Sequence, residues 1–284
     1  MTIGGACARA LLKQVSASGK ADVLEVARVL KLKVKEEQLR GCDGVLVRPL
    51  GLNRGIIAVR RDMRSPGRKR FTIAHEIGHF VLHGYDDHGS ICKEKDIEGW
   101  AKAGSDKEKQ ADDFAAELLI PTAAVAPHLT STTPSLGVVE KIADDCGASL
   151  SASAWRYCDL TSEQCAIIWS ENQEIVWSKS SPEFPFFLKK GRRVAPESFA
   201  YNCFKGESVP SYPELVTAEA WIDSLNLIPQ SRIYEQSRAL PSYGSVLTLI
   251  WIKERIERRS DYDEDEGEPL DPSEFTVYRK RWPR

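Results

Sequence analysis

The chain has 284 residues, 42% of them hydrophobic, with 39 Lys and Arg against 41 Asp and Glu for a formal charge of -2. That length carries two domains or one large one with ample core, and near-neutrality excludes a general attraction to nucleic acid or anionic membrane. Seven cysteines without C-x-x-C spacing exclude a zinc ribbon and a secreted disulfide scaffold, and suit a reducing cytoplasm.

In chain order, residues 6–17 and 21–32 are predicted as amphipathic helices, the second with Val23, Val26, Ala27 and Leu30 on its apolar stripe. The N-terminus lacks the long apolar run of a signal peptide, and no segment reaches transmembrane length, so no membrane partner is expected. Gly44–Arg48 and Gly55–Arg60 are β-branched runs separated by Pro49, Gly51 and Asn53, which predicts a hairpin. Residues 55–60 are either an edge strand that pairs with a peptide substrate or an interior strand that touches none. Arg64, Arg68, Lys69 and Arg70 then read as solvated loop charge, the alternative being a contact with an acidic partner or DNA.

The stretch Phe71–His83 holds His75-Glu76-Ile-Gly-His79 inside a helical pattern. Residues four apart share a helix face, so His75 and His79 can offer two imidazoles to one metal. Glu76 can reach a water at that metal and take its proton, the chemistry of a zinc peptidase. Ile73, Ile77 and Phe80 supply an apolar face, and Gly78 leaves room for another backbone. His83 lies roughly 12 Å along the axis from His75, too far to share an ion with both, and reads as a helix-end histidine. His88 and His128 are both candidates to bind a transition-state oxyanion.

A catalytic zinc needs a third protein ligand and one open position. Residues 107–121 form a second helical pattern, Ala111, Phe114, Ala115, Leu118 and Leu119 at helical spacing and Pro121 after the last turn. Glu108 and Asp112 share a face: in a glutamate-type zinc peptidase Glu108 would be the ligand, and Asp112 would hold the other ring N–H of a ligating histidine. Between the helices, Cys92 could occupy the open zinc position as an inhibitory thiolate, or be merely a free cysteine.

Two more helices are predicted near 135–146 and 151–158, and from about 161 the texture shifts to strands. Ala166–Trp169 and Glu174–Trp177 flank Asn172 and Gln173 as a hairpin, and Ser245–Ile252 is a strongly apolar strand. Trp169, Trp177, Trp221 and Trp251 read as core. Residues 257–284 form a charged tail.

Arg70-Phe-Thr-Ile-Ala-His-Glu-Ile-Gly-His79, followed by Glu108-x-x-Ala-Asp-x-Phe-Ala-Ala-Glu-Leu-Leu-Ile-Pro121, resembles the ImmA/IrrE family of bacterial metallopeptidases over roughly residues 20–160. Asp112 and Ile120 stand where the family often has Asn and Met. The resemblance implies an α+β chain: a zincin-like, mostly helical metallopeptidase domain with a small sheet over 1–160, then a smaller α+β sensory domain over 161–256. A GAF-like fold is expected there, since some members carry one at that position. It implies a zinc endopeptidase, with manganese as another divalent candidate, whose substrate is a helix-turn-helix repressor of stress, DNA-damage or phage-defence genes. DNA or a nucleotide is the implied activator. A regulator that binds a repressor without cutting it, and a general peptidase, are the alternatives.

Overall fold

Two β-sheets with their covering helices make up the computed structural model, which describes residues 2–15, 22–49, 52–63, 65–83, 106–129, 133–223 and 231–253, and the backbone alone of 91–92. The first sheet contains β1 (Leu32–Glu37), β2 (Gly44–Val47), β3 (Gly55–Arg60) and β4 (Ile91–Cys92), in the order β1-β3-β2-β4. β2 and β3 form the expected antiparallel pair, Val47 opposite Ile56. β1 adds to the far side of β3 in parallel, Leu32 opposite Gly55. Both edges of β3 are therefore taken, which rules out residues 55–60 as a place where a substrate strand could pair. The helix expected over 21–32 ends early for the same reason: Lys31 turns with a positive φ of 59° and Leu32 begins β1.

Against this sheet pack α1 (Ile3–Val15), α2 (Val23–Val29), α3 (Pro66–Leu82) and α4 (Asp106–Leu119). Their shared core joins Leu46, Ile57 and Val59 to Ile73, Ile77, Phe80, Phe114 and Leu118. Each such side chain, fully buried, contributes about 1.5–3 kcal/mol. α3 begins cleanly because Ser65 caps it, accepting from the Arg68 N–H, and Pro66 has no N–H to lose at the first position.

Pro121 ends α4, and three helices follow: α5 (Thr122–Leu129), α6 (Leu136–Cys146) and α7 (Leu150–Leu160). Ser135 and Ser149 cap the last two, and Gly147 closes α6 in the left-handed region. The second sheet is antiparallel throughout: β5 (Gln164–Glu171), β6 (Glu174–Ser180), β7 (Glu214–Thr217), β8 (Arg232–Leu240) and β9 (Ser245–Ile252), in the order β6-β5-β9-β8-β7. Asn172 and Gln173, both at positive φ, make the tight turn between β5 and β6.

Every residue of β9 is buried because both faces of this sheet are covered. On one face lie α8 (Phe199–Lys205) and the connecting chain through Phe184, Phe186 and Leu188. On the other, Ile142, Tyr157 and Cys158 from α6 and α7 meet Ile167, Leu247 and Leu249. One apolar core thus runs across residue 160. Trp221 and Trp251 are buried as expected, whereas Trp169 and Trp177 are half-buried and stacked, with ring centroids 5.8 Å apart. Among the described residues no helix is long and apolar enough to cross a membrane. The tail at 257–284 lies outside the described residues.

Candidate metal centre

α3 buries every residue from Thr72 to Phe80, placing His75, Glu76 and His79 inside the protein at 2%, 0% and 3% exposure. Buried imidazoles and carboxylates need partners, and α4 brings them. The two helices approach at Gly78, where a Cβ would stand only 3.1 Å from the Cα of Ala111. Glu108 sits in the first turn of α4, where the helix dipole favours a carboxylate.

His75 Nε2 lies 3.1 Å from Glu108 Oε2, His79 Nε2 lies 3.3 Å from Glu108 Oε1, and the two Nε2 atoms are 3.0 Å apart. His75, His79 and Glu108 are, among the described residues, a group able to hold a metal ion, with one donor atom from each within 4.8 Å of the others. The two rings, His75 first, hold the Glu108 carboxyl well below the ordinary carboxylate range.

The spacing fits a small divalent cation. Donors at about 2.0–2.2 Å in a tetrahedral shell stand roughly 3.3–3.6 Å apart, close to the observed separations. The proton on His75 is also placed correctly. Its Nδ1 meets Asp112 Oδ1 at 2.8 Å, and a carboxylate only accepts, so Nδ1 carries a hydrogen, and release of the Nε2 hydrogen that faces Glu108 would leave a lone pair there for an ion.

Beside the helix runs β2, closer than the sequence suggests. A Cβ on Gly44 would lie 2.8 Å from Glu76 Oε1 and 2.5 Å from Thr72 Cγ2, so the strand's bare backbone rests on the buried carboxylate. Asp43, wholly buried, holds the strand there through ion pairs to Arg60 at 2.8 Å and Arg68 at 2.7 Å. Arg68 is therefore no solvated loop charge. Lys69 pairs with Glu36 at 2.9 Å, and Arg70 donates to the Gly147 carbonyl. Arg64 lies outside the described residues. An Asp-Gly pair before an apolar run resembles a turn, and no spacing in the sequence marks it as the brace of a site.

Of the remaining candidates, His128 on α5 bonds Asp145 on α6 at 2.8 Å, and His88 lies outside the described residues. The side chain of Cys92 also lies outside them; its backbone pairs in β4 opposite Gly44.

Two imidazoles and a carboxylate so placed make a candidate metal centre. Residues 27–156, which include His75, His79, Glu108 and Asp112, match the family described as the IrrE N-terminal-like domain, Peptidase_M78. No curated protein matches the chain. Among solved structures, a Mycobacterium tuberculosis transcriptional regulator is similar at 10% identity with a TM-score of 0.47, over 87% of this chain and 75% of that one. A likeness at that level carries no argument.

Proposed function

We propose that the chain is a zinc endopeptidase of the glutamate-ligand type, in which His75, His79 and Glu108 hold the ion and Asp112 orients His75. The observation that carries this reading is the convergence of two imidazole nitrogens, 3.0 Å apart, on the two oxygens of the Glu108 carboxylate at 3.1 and 3.3 Å. An ion bound there would supply Lewis acidity and acidify water; zinc suits the two-nitrogen, one-oxygen set, and manganese is the other divalent candidate. Glu76 accepts the proton of the attacking water and returns it to the leaving amine. The Asp43 brace and the bare Gly44 backbone keep its carboxylate in place.

The substrate, on this reading, is a specific helix-turn-helix repressor, cut to release stress, DNA-damage or phage-defence genes; the match of residues 27–156 to the IrrE N-terminal-like domain supports it. Residues 161–256 would act as the sensory unit, GAF-like in fold, with the five-stranded antiparallel sheet in support. DNA or a nucleotide would be the activator. Phe187, 85% exposed, with Lys189, Lys190 and Arg193 close by in the chain, supports a nucleic-acid contact, an aromatic face for a base and cations for phosphates. Cys92 as a latch draws support from the register that sets it opposite Gly44. Six free cysteines among the described residues favour a cytoplasmic setting.

The test is incubation of the full chain with the repressor encoded beside its gene, with and without zinc, alongside Glu76→Gln. Cleavage only by the wild type with metal is the expected result. A repressor bound but intact would make the chain a non-catalytic regulator, and indiscriminate peptide hydrolysis would make it a general peptidase.

A further inference from the structure

An imidazole that is to bind a cation through Nε2 must carry its proton on Nδ1, and something must hold that proton there. For His75 the holder is Asp112. For His79 it is another histidine: His79 Nδ1 meets His83 Nδ1 at 3.0 Å, and His83 Nε2 meets Gln110 Oε1 at 3.3 Å.

The protons along this chain follow from the task of His79: Nε2 must offer a lone pair to an ion, so Nδ1 carries the hydrogen. His83 Nδ1, 3.0 Å away, then accepts it, and the His83 hydrogen sits on Nε2, 3.3 Å from Gln110 Oε1, an oxygen that accepts. His79 Nε2 faces Glu108 and His75 Nε2, 3.3 Å and 3.0 Å away. Rotating the Gln110 amide by half a turn reverses every step. Its NH2 would donate to His83, His83 would donate to His79, and the His79 hydrogen would sit on Nε2, in the space where the donors converge.

We infer that Gln110 and His83 are positioning residues that fix the Nδ1–H tautomer of His79 and so prepare it for the ion. This rests on the metal reading above. It gives α4 a second task, because Glu108, Asp112 and Gln110 all stand on that helix: it supplies one donor directly and sets the proton of both histidines, one through Asp112 and one through His83.

The experiment uses the full chain, ¹⁵N-labelled and free of metal, at a pH above the imidazole range. Long-range ¹H–¹⁵N spectra report which His79 nitrogen is protonated, and competition with a chromophoric chelator reports zinc affinity. Wild type should show the Nδ1–H form. His83→Phe and Gln110→Leu should shift His79 toward Nε2–H and weaken zinc binding about ten- to a hundredfold, with the His75 tautomer unchanged. His83→Gln, whose amide oxygen can accept the same hydrogen, should restore both readouts. An Nδ1–H His79 in His83→Phe, or wild-type zinc affinity in both Phe and Leu variants, overturns the inference. Failure of the metal reading shows separately, as a wild type that binds zinc no better than His79→Ala; the tautomer measurement, made without metal, still decides this inference.

Discussion

The clusters around Glu235 and Glu108 each set a carboxylate among close partners, and they differ in what surrounds it. Glu235, at 0% exposure in β8, accepts from Ala200 N at 2.8 Å, Trp221 Nε1 at 2.7 Å and Ser237 Oγ at 2.7 Å. Every one of these neighbours brings a hydrogen, so the cluster is complete as it stands and serves to hold α8 against the second sheet. Around Glu108 the neighbours are two imidazole nitrogens that also face each other at 3.0 Å. Imidazole nitrogens that converge with a carboxylate can shed their hydrogens and close on a cation; a carboxylate ringed by backbone, indole and hydroxyl hydrogens needs nothing more. The same residue type is thus structural in one half of the molecule and a candidate ligand in the other.

The largest effect expected from breaking this contrast is at Glu108. Glu108→Ala should abolish stoichiometric zinc binding in calorimetry, whereas Glu235→Ala should leave it unchanged. Next is Glu76→Gln, which keeps the ligands and removes the base. Repressor cleavage should fall about 10²–10⁴-fold while zinc still binds. Asp112→Asn is smaller, since an amide can still accept from His75 Nδ1–H: zinc affinity should drop about ten- to a hundredfold in chelator competition.

The smallest effect sharpens the comparison from the other side. Glu235→Ala should cost roughly 1–3 kcal/mol in denaturant unfolding through the donors it strands. Burial pushes the Glu235 carboxyl above its ordinary value, against the pull of its hydrogen bonds. The folded chain therefore holds that proton more tightly than the unfolded one. Glu235's share of stability is largest at or below the ordinary carboxylate pKa and declines as pH rises through the raised folded value. Unfolding curves across that window should show the decline in the wild type and lose it in Glu235→Ala.

How much of this is legible in the sequence follows from which residues announce themselves. His75, His79, Glu108 and Asp112 do, because helix spacing converts directly into shared faces, and Gly78 already signals the close crossing that Ala111 completes. The β5–β6 hairpin is equally readable from Asn172-Gln173 and its flanking β-branched residues. β1 is not: four of the six residues of Leu32–Glu37 are charged and the strand follows a helix with one turn between, so its parallel pairing with β3, and with it the interior position of residues 55–60, depends on contacts distant in the chain. Asp43 and Gly44 are hidden for a related reason, since what makes them matter is the Glu76 carboxylate some thirty residues on. His83 is half-legible. Its spacing rules it out as a ligand shared with His75, but its partnership with Gln110 exists only once α3 and α4 lie side by side.

The most direct test of the central claim is X-ray absorption at the zinc edge of the loaded full chain. The account predicts one zinc per chain with two imidazole scatterers and a carboxylate oxygen in its first shell, one imidazole disappearing in His79→Ala. A first shell unaltered by that substitution, or a wild type that retains no zinc, would contradict it.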